Sequence, residues 1–140
     1  MLLPKKVKHR KWQNARRNPA RARVENRGVN LDFGGYGLKA TTQGRIESKQ
    51  IESARKAISR TLGKTGRMWI RIFPDRPFTQ KPAEVKLGKG KGDVQGYCVE
   101  IWPGRILFEV DGATPEVSRE ALRKAGTKLP VKCKIIAREA

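Results

Sequence analysis

The sequence predicts an α+β fold in which two amphipathic helices pack on a mostly antiparallel sheet. Two observations support this class. Apolar residues recur at helical spacing in two separate segments, and around those segments apolar and polar residues alternate as they do on half-buried strands. One globular domain is expected over residues 29–140, with a basic N-terminal arm before it and a loop of glycine and lysine, residues 84–93, projecting from it.

Residues 1–28 are predicted to form an irregular arm that binds RNA. The segment holds ten lysines and arginines against one acid, Glu25, and its apolar residues follow no period of 2 or 3.6. Such a segment cannot fold on its own burial, so it is expected to become ordered on a partner. Trp12, which lies among these cations, either stacks on a base or ribose or makes a simple contact at the edge of the core.

The first helix is predicted between Ser48, as the N-cap, and Gly63, as the stop. Its apolar positions have helical spacing, and its other face is basic and includes Arg55. Before the helix, Leu31 and Phe33 alternate as on a strand. The glycines of residues 34–37 are interpreted as a bulge or turn, after which the strand resumes at residues 38–41.

Strands are predicted on both sides of a proline-rich connection. Residues 67–73 alternate, with Trp69 and Arg71 on one face. That face is either a second surface for RNA or is covered by another element. The prolines at positions 74, 77 and 82 are expected to hold an extended, non-helical connection.

The C-terminal part is predicted to contain a hairpin, a helix and a last strand. The alternating segments 97–101 and 106–110 flank Pro103-Gly104, which suggests a tight turn between paired strands. Thr114 and Pro115 open a second helix that Gly126 closes. Residues 131–135 alternate again and form the last strand.

The loop Lys86–Gly92 is the sharpest local motif. Its glycines allow close approach of the backbone, and Lys86, Lys89 and Lys91 can each meet a phosphate. A nucleotide-binding loop is excluded because Gly92 follows Lys91 where a Walker motif needs Ser or Thr, and the dinucleotide fingerprint also fails. The remaining alternative is a flexible, solvated tip.

Composition narrows the function to binding a polyanion. The 140 residues carry a formal charge of +19, which opposes compaction unless a partner supplies negative charge. No apolar run approaches the length of a membrane span. Cys98 and Cys133 are expected to be reduced packing residues, and the single histidine and scattered acids offer neither a catalytic nor a metal site. No cofactor is expected.

Several motifs in order along the chain resemble one family. The most specific are Ile70-Arg71-Ile72-Phe73-Pro74-Asp75 and Gly88-Lys89-Gly90-Lys91-Gly92, and further matching stretches lie at residues 1–6, 10–11, 33–40, 50–55, 81–82, 103–109 and 128–132. Together they resemble the bacterial form of the ribosomal large-subunit protein family L-sixteen, which is related to the archaeal and eukaryotic L-ten-e proteins. Members usually carry Arg-Met where this chain has Lys86-Leu87, and residues 12–27 match poorly.

The resemblance implies a structural constituent of the large ribosomal subunit, without enzymatic activity. It implies contacts with large-subunit ribosomal RNA, with tRNA in the aminoacyl site and with neighbouring ribosomal proteins, beside the peptidyl-transferase region. The expected location is a cytoplasmic ribosome, or an organelle ribosome if the gene is organellar. The alternative is an RNA-binding or ribosome-assembly factor that acts off the ribosome. The residues assigned to RNA binding are Lys5, Lys6, Lys8, Arg10, Lys11, Trp12, Arg16, Arg17, Arg55, Arg71, Lys81, Lys86, Lys89 and Lys91.

Overall fold

A computed structural model describes residues 1–14 and 23–139 of the chain. It confirms the α+β class, with antiparallel strands and two helices. The elements of this part of the chain are, in order, β1 (Tyr36–Ala40), β2 (Gly44–Glu47), α1 (Ser48–Leu62), β3 (Arg67–Ile70), β4 (Arg76–Gln80), β5 (Asp93–Ile101), β6 (Ile106–Asp111), α2 (Pro115–Gly126) and β7 (Cys133–Ala137).

The strands form two sheets. Sheet A has the order β3-β6-β1-β7 and sheet B the order β2-β5-β4, with antiparallel pairing in both. The helices pack against each other and against strands of both sheets. One hydrophobic core joins these layers, and Ile46, Ile58, Phe108 and Leu122 are completely buried in it.

The predicted hairpin between β5 and β6 is wrong, because the two strands lie in different sheets. The turn at residues 102–105 is present, since Arg105 N donates to Trp102 O. However, Gly104 N donates to Ala40 O and Ala40 N donates to Arg105 O, so the turn is bonded to the end of β1. The edges of β6 are filled by β1 and β3, and the turn therefore carries the chain from one sheet to the other.

Helix α1 lies where it was predicted, but its cap differs. Glu47 is the N-cap, and its backbone N–H donates to the side chain of Gln50 at 2.8 Å. Ser48 is the first helical residue and is buried, and its hydroxyl donates to Leu2 O at 2.6 Å. The predicted Ser48 cap is therefore wrong, because this serine binds the N-terminal segment instead.

Helix α2 confirms its prediction at both ends within one residue. The Thr114 hydroxyl accepts from Val117 N, Pro115 is the first helical residue, and Gly126 is the last. Strand β7 is also confirmed, although it begins at Cys133.

Two short strands were missed. β2 is only four residues long, and β4 contains Pro77, which was expected in an extended, non-helical connection. β4 tolerates a proline because it lies at the edge of sheet B and pairs with β5 alone.

The segment at residues 31–33 is not a strand, and β1 begins within the predicted turn, at Tyr36. This segment crosses the face of sheet A opposite the helices. A side chain at Gly34 would meet Val110 O at 2.5 Å, and one at Gly37 would meet the side chain of Leu31. Both glycines are therefore needed for close packing of this segment on the sheet.

The two cysteines are unpaired, and Cys98 is buried in the core. Burial raises the pKa of both thiols, to about 11 for Cys133. Since the thiolate is the reactive form, a packing role fits both residues better than chemistry does.

Candidate nucleic-acid interface

The N-terminal arm is held on the domain by Arg76, a nearly buried residue of β4. Its side chain is 9% exposed and pairs with Glu100 at 3.0 Å. It also donates to Gln13 O at 2.6 Å, and its guanidinium carbon lies 5.4 Å from the centre of the Trp12 ring. Because these contacts are to both the ring and the backbone, Arg76 fixes where the arm runs across sheet B.

The same part of the arm meets the glycine–lysine loop. Lys91 Nζ donates to Trp12 O, and Lys11 Nζ lies 3.4 Å from Lys91 O. Two basic segments that are separated by about 80 positions in the sequence thus become one surface. We call it the arm–loop surface and define it as residues 5–14 and 84–93.

The loop has a defined turn within this surface. Gly88, Lys89 and Gly90 are consecutive residues with φ of 91°, 63° and 98°. Lys81 Nζ, from the strand side, donates to Gly88 O at 2.5 Å. Glycine adopts this left-handed backbone without strain, and Lys89 adopts it between two glycines. The loop lysines therefore lie on a turn with an unusual backbone conformation.

Six of the cations on this surface lack a hydrogen-bonding or ion-pair partner among the described residues, and all are exposed. They are Lys5, Lys6, Lys8, Arg10, Lys86 and Lys89. The surface contains two acids, Glu84 and Asp93. An excess of unpaired cations on one exposed surface is the electrostatic pattern of phosphate binding.

Other cations predicted to bind RNA are used within the protein. Arg55 forms two hydrogen bonds to Glu52, one turn away on α1, with Nε–Oε2 at 3.0 Å. Arg71 is 14% exposed and pairs with Glu109 and with Asp32. Lys81 and Lys91 hold the loop and the arm through the bonds described above. Each of these four residues can therefore meet RNA only through the part of its side chain that remains exposed.

Arg71, which directly follows the edge strand β3, belongs to a cluster around Glu109 on the neighbouring strand β6. The completely buried carboxylate of Glu109 accepts backbone N–H groups from Asp32, Phe33 and Gly34 at 3.1, 2.7 and 2.7 Å, and it pairs with Arg71. Burial alone would raise the pKa of Glu109. The hydrogen bonds from the three backbone N–H groups and from Arg71 outweigh burial and hold this pKa below its ordinary value.

This cluster shows which of the two alternatives holds for the strand face of Trp69, a surface for RNA or cover by another element. The ring of Phe33 stacks on that of Trp69 with centroids 6.0 Å apart, and the Arg71 guanidinium lies 5.1 Å from the Phe33 ring. The strand face that carries Trp69 is therefore covered by another element, the segment that Glu109 binds. The outer side of Phe33 remains exposed.

Comparison with known proteins identifies the family. The pattern of the family described as ribosomal protein L16p/L10e matches residues 4–136. The chain belongs to this family. Large ribosomal subunit protein uL16 of Halorhodospira halophila is 51% identical over 138 residues, which cover 99% of the chain and 98% of the relative. The protein of the same name from Methylibium petroleiphilum is 48% identical over 139 residues, with the same coverage.

Membership of the L16p/L10e family confirms the resemblance of the sequence motifs and the assignment as a structural, non-enzymatic ribosomal protein. Within residues 1–14 and 23–139, no cluster of side chains is suited to a metal ion. No helix in that part of the chain has the length and hydropathy needed to cross a bilayer.

The structure brings Lys11 and Trp12 of the arm into contact with Lys91 of the loop. It does not bring Arg55 or Arg71 to the arm–loop surface, and Arg16 and Arg17 lie outside the described residues. Arg76 was missed by sequence reasoning. The prolines on both sides of it, Pro74 and Pro77, predicted an extended connection, and nothing in the local pattern indicated a buried arginine.

Proposed function

We propose that the protein is a structural constituent of the large ribosomal subunit that binds large-subunit ribosomal RNA through the arm–loop surface. The observation that carries the proposal is the convergence of two distant basic segments, in a member of a ribosomal protein family, on one exposed surface. Six cations there have no partner among residues 1–14 and 23–139.

The proposed mechanism is neutralisation and positioning of RNA, with no chemical step. Each exposed lysine or arginine binds a phosphate and releases the counterions that had condensed there. The bonds from Arg76 and Lys91 fix the spacing between arm and loop before RNA arrives, which lowers the entropy lost on binding. Phosphate contacts of this kind set the position and orientation of the protein on RNA.

The finer proposal is that the protein helps to organise the aminoacyl-tRNA site and the peptidyl-transferase region, contacts tRNA and touches neighbouring ribosomal proteins. Support comes from the family resemblance and from the exposed loop, which extends beyond the sheet edge. Either the arm or the loop tip provides the cations needed for a tRNA backbone.

Sedimentation tests the proposal against its alternative, a factor that binds RNA off the ribosome. Tagged protein expressed in its source cells should stay with the large subunit in a sucrose gradient at high salt. A matched variant, Arg76→Ala, should wash off at lower salt because Trp12 and Gln13 of its arm are no longer held by Arg76. Recovery of the wild-type protein only in the ribosome-free fractions, or only with immature particles, would favour the alternative.

A further inference from the structure

Leu87 is a leucine with almost no contact to the rest of the protein. Its side chain is 99% exposed, more than any other large apolar residue in the described ranges, while its neighbour Val85 is 51% exposed. Single exposed leucines are common on protein surfaces. Leu87 lies in the middle of a basic loop, on the surface proposed to bind RNA. Its position therefore makes RNA its candidate ligand.

The backbone around Leu87 is held at several points. The left-handed run from Gly88 to Gly90 begins directly after it, and Lys81 Nζ holds Gly88 O at 2.5 Å. On the far side of the turn, Lys91 is bonded to the arm at Trp12 O. The loop therefore presents Leu87 outward from a braced base.

The residues that flank Leu87 determine the chemistry of what it meets. Lys86 and Lys89 are exposed, without partners among the described residues, and no acid occurs between Val85 and Gly92. A partner that accommodates both lysines carries negative charge within a few ångströms of an apolar surface. An RNA strand combines these features, since phosphates lie beside the flat faces of its bases.

We propose that Leu87 packs against the face of an unstacked nucleobase in RNA while Lys86 and Lys89 bind the adjacent phosphates. The inference rests on the proposed function and assigns the apolar part of the same interface. Apolar side chains, leucine among them, act as wedges between bases in other nucleic-acid complexes, and base faces accept such contacts with any sequence.

An apolar contact differs from a phosphate contact in its salt dependence. Loss of a phosphate contact lowers the affinity and also reduces the slope of log affinity against log salt, by about 0.7 to 0.9 per contact. Loss of the Leu87 contact releases no counterions. It lowers the affinity by the same factor at every salt concentration.

The test uses the full-length protein and a transcript of large-subunit ribosomal RNA, with affinities measured from low to high salt. Leu87→Ala should weaken binding about five- to tenfold, as expected when about half of the leucine side chain beyond its β-carbon is buried against a base, and leave the slope unchanged. Leu87→Met, which preserves volume, should restore most of the affinity. Phe73→Ala, which truncates an exposed apolar side chain outside the arm–loop surface, is the matched control and should bind as the wild type does.

The outcomes are separable. Equal affinities for Leu87→Ala, Phe73→Ala and wild type would overturn the role of Leu87 and leave the proposed function intact. A flat salt dependence of the wild type would overturn the proposed function and this inference together. Weakening by Leu87→Ala only on protein-containing particles, and not on naked RNA, would assign Leu87 to a protein pocket and overturn the proposal.

Discussion

Two regions of this molecule use arginine and lysine in opposite ways. In sheet A, the largely buried Arg71 pairs with Glu109 and Asp32 and holds the segment that covers Trp69. On the arm–loop surface, Lys5, Lys86 and their neighbours are exposed and unpaired among the described residues. The comparison teaches that the cations behind the net charge of +19 have two uses. Some stabilise the fold, and others remain exposed for binding a partner.

Arg76 combines the two uses of a cation, because it stabilises the fold and also positions the arm. It is nearly buried and paired with Glu100, yet its remaining bonds go to the arm. Substitutions in the buried cluster should therefore change stability, those on the arm–loop surface should change RNA binding, and Arg76 should change both.

The largest expected effect is at the buried cluster. Glu109→Ala leaves three backbone N–H groups and a buried guanidinium without their acceptor, and such losses destabilise a protein by about 3–5 kcal/mol. Urea unfolding followed by circular dichroism measures the change. Glu120→Ala, which removes an exposed pair with Arg123, is the control and should change the midpoint little. Equal midpoints for both variants would contradict a stabilising role of the Glu109 cluster.

The same carboxylate should make stability depend on pH. The pKa of Glu109 is lowered in the folded protein, so its contribution is complete above about pH 4.5, its ordinary pKa, and is lost as pH falls through the folded-state pKa. Urea midpoints from pH 7 to pH 3 should fall less steeply for Glu109→Gln than for the wild type. Parallel curves for the two proteins would contradict the assignment.

Deletion of residues 1–28 comes next. The domain should still fold, because the core residues lie beyond residue 28 apart from Leu2, which packs at its border. It should be less stable by about 2–4 kcal/mol, since the packing of Leu2 and the bonds from Ser48 to Leu2 O and from Ile106 N to Gly28 O are lost. A thermal scan by circular dichroism tests this, and a transition without cooperativity would mean that the arm is part of the core.

Arg76→Ala should destabilise the domain by about 1–3 kcal/mol and loosen the arm at Trp12 and Gln13. Trp12 loses its cation and becomes more exposed, so its fluorescence should shift to the red and trypsin should cleave the arm faster. Arg45, which also pairs with Glu100, offers a control in Arg45→Ala. The same red shift in that control would mean that the arm position depends on the acid rather than on Arg76.

Elements with a complete local pattern were predictable. Helix α2 has a capping threonine, a proline and a closing glycine within its own sequence, and each was found in its place. The assignment of β5 and β6 to one hairpin failed because strand pairing depends on which edges are free, and that is decided by β1 and β3 elsewhere in the chain. A strand pattern in one segment carries no information about its partners.

The interface was predictable in its composition and not in its assembly. Charge marked both the arm and the loop, but their contact through Trp12 and Lys91 joins residues far apart in sequence. Arg71 shows the converse. Arg71 was predicted to share a strand face with Trp69, which suggested an exposed basic surface. Only the fold shows that Glu109 lies opposite and forms an ion pair with the guanidinium.

The smallest expected change in stability tests the central claim most directly. Lys86→Ala with Lys89→Ala removes two exposed, unpaired cations, so the melting temperature should remain near that of the wild type, with under about 0.5 kcal/mol lost per site. The slope of log affinity for large-subunit ribosomal RNA against log salt should become shallower by about 1.5. An unchanged slope in this stable variant would show that the loop lysines do not bind phosphates, and would contradict the account of the arm–loop surface.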